Sequence, residues 1–134
     1  MKQEEGRIIV EHGYGSTELY EYRKAQSEQD LANFESIGAY LEAYGYPNKD
    51  SLGKDAALTP YLVIHHQTDP GKRKQYFKYL YQAYQDGQIS NRDFEKYLDL
   101  TYQYLYQSNF DFGSDSYKTD EKIKLLMEEM SLTN

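Results

Sequence analysis

From Ser16 onward the apolar residues of this chain return every three or four positions, and no alternating pattern of the kind a strand needs follows the first ten residues. A period near 3.6 places such residues on one side of a helix. The short β-branched run Arg7-Ile8-Ile9-Val10, broken by His12-Gly13-Tyr14-Gly15, would be a lone strand without a partner. The expected fold class is therefore all-α. It is a compact single-domain bundle of five or six helices over residues 1–134, with 1–15 as a short N-terminal strand or irregular arm. At 134 residues the chain is long enough to bury a core without a staple, and the absence of cysteine removes disulfides and thiolate chemistry.

Start and stop signals divide the helical stretch. Ser16 or Thr17 can cap a first polar helix over 17–26, and Ser27-Glu28-Gln29-Asp30 resembles a second start. The stripe Leu31, Phe34, Ile37, Leu41 and Tyr44 ends at Gly45, with Pro47 as a stop. Residues 17–44 form either one helix or two. The segment 55–66 is apolar on nearly every side, so the expectation is a central buried helix. It starts near Lys54 with Pro60 inside, or at a Thr59 cap. Asp69-Pro70 opens a helix running to about Gln85, with Phe77, Leu80, Tyr81 and Tyr84 inward, and Asp86-Gly87 closes it. Ser90 starts the next helix, which buries Phe94, Tyr97, Leu98, Thr101 and Leu105. Residues 108–118 read as a linker. Thr119 is the expected cap of a last helix carrying Ile123, Leu126, Met127 and Met130.

Charge and aromatic content narrow the function classes. The net charge is −7, and the acids collect at the ends: seven against four bases in 2–30, and six against three in 108–134. Such a chain lacks the basic face that phosphate backbones require, so nucleic acid is not an expected partner. No apolar run approaches the length of a membrane span, and the first residues lack the apolar core of a signal peptide. The expected compartment is the cytoplasm, or the periplasm or exterior for a trimmed precursor. Sixteen tyrosines stand beside five phenylalanines and no tryptophan. Tyrosine buries a ring but needs a partner for its hydroxyl, and it is enriched at interfaces. Tyr46, Tyr102 and Tyr106 are the candidate interaction residues.

The order of short motifs carries a resemblance. Gly45-Tyr46-Pro47 is followed by Ser51-Leu52-Gly53, Ile64-His65-His66 with Asp69, and Ala83 with Gly87 in an Ala-Tyr-Gln-Asp-Gly turn. This order is similar to that of a large bacterial family of small helical domains with no assigned function, over roughly 85 residues. Phe112-Gly113-Ser114-Asp115 stands where that family has Tyr-Gly-Thr-Gln, and Asp99 is followed by Leu100 instead of arginine. The resemblance implies an all-helical fold and supplies no reaction.

Three functional readings follow. The first is a non-catalytic protein-interaction module with a Tyr-rich, acidic surface, of immunity or inhibitor type. The second is a small hydrolase-like enzyme in which His65 or His66 is an acid/base group oriented by Asp69. The plain alternative is that Asp69 caps a helix and one histidine caps the preceding one. The third is an anion or nucleotide binder, with Lys72, Arg73, Lys74 and Lys78 at one helix start. Nucleophile, phosphate-loop and zinc-protease motifs are absent from the sequence, and no metal site or cofactor is expected.

Overall fold

The computed structural model of the chain describes residues 2–113 and 116–132. Among these residues it holds eight helices and no strand. They are α1 (Lys2–His12), α2 (Thr17–Tyr44), α3 (Lys49–Leu52), α4 (Lys54–His65), α5 (Pro70–Gln75), α6 (Phe77–Gln85), α7 (Asn91–Tyr106) and α8 (Thr119–Glu129). Ser114 and Asp115 of the divergent closing motif lie outside the described residues.

The N-terminal segment, expected as a strand or irregular arm, is the helix α1. The helix cost of Ile8-Ile9-Val10 is only a few tenths of a kcal/mol per residue. It is outweighed because Ile8 is buried and α1 lies along α2. Arg7 adds ion pairs to Glu4 and, at 3.0 Å, to Glu11 on the same helix face, and Arg23 of α2 reaches Glu5 at 3.4 Å.

The stretch 17–44 is one helix of 28 residues. The Ser16 hydroxyl accepts the Leu19 amide at 3.1 Å, whereas Ser27 lies in the helix interior and starts nothing. Its buried residues are Leu19, then Phe34, Gly38 and Leu41. Leu31 and Tyr44, expected inward, are exposed. Gly45 ends the helix at φ 75°, a left-handed value that suits glycine.

In α4, Ala57, Pro60, Tyr61 and Ile64 are buried, but Leu58 and Leu62 remain 36% and 43% exposed. The expected dry central helix is therefore amphipathic, and Pro60 lies inside it. The dry centre is built by α6 and α7, where Leu80, Phe94, Tyr97 and Leu98 are each sealed from solvent together with Leu126 of α8.

The helix expected over 70–85 breaks at Tyr76, whose φ of −111° and ψ of 24° leave the helical region. Its ring packs on Phe34 at 5.4 Å and brings its hydroxyl end against Gly38, where a Cβ would stand 2.1 Å from the Tyr76 hydroxyl. Seating that ring on α2 while Arg73 and Phe77 turn into the core requires the break. Ser90 caps α7 through the Asp93 amide at 3.1 Å, as the sequence implies. The linker after α7 is held by a chain of tilted and edge-on ring contacts: Tyr106 with Tyr102, Tyr102 with Phe110, and Phe110 with Phe112, with centroids 4.5, 5.3 and 4.6 Å apart. At the start of α8 the cap is Lys118, without a side-chain bond, and Thr119 is the first helical residue.

Candidate functional site

Arg73 is the largest side chain sealed in the interior, at 0% exposure. Its guanidinium spends every donor. Nε donates to the Thr101 hydroxyl at 2.8 Å. Nη1 donates to the His65 and Gln67 carbonyls at 2.5 and 3.0 Å. Nη2 donates to the Tyr97 carbonyl at 3.0 Å and meets His65 Nδ1 at 3.3 Å. The rings of Tyr97 and Tyr104 lie 5.2 and 5.4 Å from the guanidinium carbon. No carboxylate hydrogen-bonds it; carbonyl dipoles and aromatic faces hold the charge. Burial lowers its pKa, yet an arginine stays cationic.

This geometry fixes the state of His65. The guanidinium can only donate, so Nδ1 must accept and the ring proton sits on Nε2. The imidazole stacks on Tyr61 at 5.3 Å and 11°. Burial first, then the Arg73 charge, lowers its pKa to about 4, so it is neutral near pH 7. The histidine cap expected at the end of α4 is replaced: Arg73 donates to the His65 carbonyl and the Gln67 side chain to that of Val63.

Asp69 is committed as a helix cap, its carboxylate accepting the Gly71 and Lys72 amides at 3.4 and 3.3 Å. Neither imidazole hydrogen-bonds to it. His66 is exposed and lines an open recess with Asp30, Gln67, Asp69 and Lys72. Among the described residues no three His, Asp or Glu side chains converge in a way that would hold a metal ion.

The four bases expected at one helix start do not form one group. Arg73 points inward, and Lys78 falls on α6, over the Tyr79 ring at 5.0 Å. Lys72 and Lys74 remain on α5, a helix of only six residues. A periodicity signal separates them: Arg73 precedes Phe77 and Leu80 by four and seven residues, on the same apolar stripe, whereas Lys72 and Lys74 fall off it.

A recess of about 470 Å³ is an open groove between α6 and α8. Ile123, Met127 and Leu132 form its apolar lining, with Tyr81 and Tyr84 on α6 and Asp120, Lys124 and Glu128 on α8. Tyr84 stacks on Phe94 at 4.5 Å and 9°, and Tyr81 on Phe77 at 5.6 Å and 16°. Core phenylalanines thus fix both rings from behind. The two tyrosines stand 6.3 Å apart at 37°, forming a shallow corner. Burial and the Asp120 carboxylate raise the Tyr84 pKa, which places Asp120 in the field of that hydroxyl. The sequence places Tyr81 and Tyr84 inward; the structure leaves both half-buried, at the groove. The tyrosine excess was the available signal, but it does not say which rings meet carboxylates.

Of the tyrosines singled out by the sequence, Tyr46 turns its hydroxyl into the interior, and burial pushes its pKa well up. Tyr102 and Tyr106 form the outer rungs of the linker ladder, with Tyr106 exposed. No helix among the described residues is long and apolar enough to cross a membrane. Fold and groove together define an all-helical domain with one face open as an amphipathic, aromatic channel. Compared with known proteins, the chain matches no protein family, no curated protein and no solved structure.

Proposed function

We propose that this chain is a non-catalytic cytoplasmic module that binds a protein partner through the α6/α8 groove. One observation carries the reading. In that groove two half-buried tyrosines, braced by core rings, meet two carboxylates over an apolar lining. Rigid tyrosines supply large contact area at low entropic cost, and a polar rim around an apolar floor is the anatomy of an interface. The acid/base alternative has less support, because Asp69 is occupied as a cap and His65 is held by Arg73.

A displayed library of random twelve-residue peptides tests the reading. Panning against the wild type is followed by counter-selection on the double variant Tyr84→Ser, Glu128→Ala. Enriched peptides that lose binding to the variant are the expected result. A library that yields nothing above the variant's background refutes the groove as a binding surface.

A further inference from the structure

The α6/α8 groove has a chemistry that specifies its guest. Its charged lining consists of Asp120 and Glu128 against Lys124, an excess of carboxylate. The whole of α8 repeats the sign, with Asp120, Glu121, Glu128 and Glu129 against Lys122 and Lys124. Lys122 is further engaged, 3.9 Å from Glu95 and 5.4 Å from the Phe112 ring centre. A neutral apolar guest would fill the floor formed by Ile123 and Met127 but would leave the carboxylates unused. An acidic guest would be repelled.

We infer that the groove is the seat of an arginine side chain presented by the partner. Its guanidinium would lie in the corner of Tyr81 and Tyr84 opposite Asp120, with Glu128 about two turns along α8 adding to the negative rim, and its aliphatic stem on Ile123 and Met127. This rests on the protein-binding reading and names the anchor. A planar guanidinium stacks on an aromatic face and forks onto a carboxylate, whereas an ammonium is a compact, strongly hydrated point charge. The same molecule already accommodates a guanidinium on tyrosine faces, at Arg73 over Tyr97 and Tyr104. Lys124 works against the guest, so its removal must act with the opposite sign to removal of Asp120.

The test uses nitrogen-15 labelled full chain and three probes: the N-acetyl, C-methylamide derivatives of arginine, citrulline and lysine. Citrulline keeps the shape of arginine and lacks its charge. The arginine probe should give saturable amide shifts clustered at Tyr81, Tyr84 and 120–128. The lysine probe should bind about threefold more weakly and citrulline more weakly still. Asp120→Asn should weaken the arginine probe about threefold and Lys124→Gln should tighten it by a similar factor, as expected for single charges at the rim of an open groove. All these side chains are exposed, so the variants keep the fold. Equal shifts from citrulline, equal affinity for lysine, or shifts scattered over the acidic surface each overturn the inference. If the peptide library enriches sequences without arginine, the binding surface stands and the anchor assignment falls. If it enriches nothing, the protein-binding reading falls.

Discussion

Replacing Arg73 with methionine removes a buried cation and keeps most of the side chain's volume. Buried charges are costly, and replacement of an ion pair by apolar residues is often neutral or stabilising. Here no paired charge leaves with the arginine; three backbone carbonyls stay behind. Those of His65, Gln67 and Tyr97 each lose a donor from the guanidinium. An orphaned interior carbonyl costs about 1–3 kcal/mol. The His65 carbonyl at the end of α4 is only partly buried and recovers part of this from water, and release of the buried charge offsets a further part. The net expectation is a loss of about 2–4 kcal/mol, out of about 5–15 kcal/mol for a typical domain. At about 4 °C per kcal/mol for a chain of this size, the melting temperature should fall by roughly 8–16 °C. Thermal and urea unfolding followed by circular dichroism measure it. Arg73→Lys should recover little, because three donors on one nitrogen cannot span acceptors on α4, α7 and the loop between α4 and α5. A methionine variant that melts with the wild type, or a lysine variant that restores full stability, would show that the donor network is not what holds this corner.

Further outcomes follow from neighbouring contacts. The folded pKa of His65, about 4, lies below the ordinary value near 6.5, so the unfolded chain takes the proton first. Its contribution is complete above pH 6.5 and is lost as pH falls toward 4, by roughly 2 kcal/mol after allowing for partial exposure. The difference in melting temperature between wild type and His65→Asn should change across that window and be flat above it; a pH-independent difference refutes the assignment. Gly38→Ala normally favours a helix by up to about 1 kcal/mol. Here it should destabilise by about 1–3 kcal/mol, since the new methyl occupies the place of the Tyr76 ring. Adding Tyr76→Leu should recover part of the loss, and a stabilising Gly38→Ala would show that the ring moves freely. Tyr97→Phe deletes the 2.5 Å bond to the Arg73 carbonyl and should cost about 1–2 kcal/mol, read from the urea midpoint.

Much of the architecture was legible where a local rule and the tertiary packing agree. Asp69-Pro70, Ser90 and Gly45 carry their own capping chemistry, and the structure uses all three as the sequence implies. Legibility failed where long-range packing overrode a local preference. Ile8 is helical because α2 covers it, and the helix after Pro70 breaks because the Tyr76 ring is seated on Gly38. The outer face of α4 misled for another reason: composition alone does not distinguish a leucine covered by a neighbouring helix from Leu62, which lines an open recess beside α2 and stays 43% exposed. The recess around His66 was only partly visible, since a cap and a catalytic carboxylate look alike in one dimension. The α6/α8 groove was not legible at all, because its tyrosines and carboxylates lie some forty residues apart in the chain.

The long second helix has a mechanical consequence. Between Leu19 and Phe34 none of its side chains is fully buried and most are exposed, so a rod with both ends packed is only thinly covered at its middle. There it rests on intrinsic propensity, local pairs such as Gln29 with Asn33, and a few long contacts from outside: Arg23 to Glu5 of α1, and the Gln67 side chain donating to the Asp30 carbonyl, each at 3.4 Å. Amides in this waist should exchange with deuterium well before those of 34–44, and trypsin should nick first at Arg23 or Lys24, both exposed. The N-terminal hairpin would then separate as a unit, leaving the Arg73 corner and the α6/α8 channel intact.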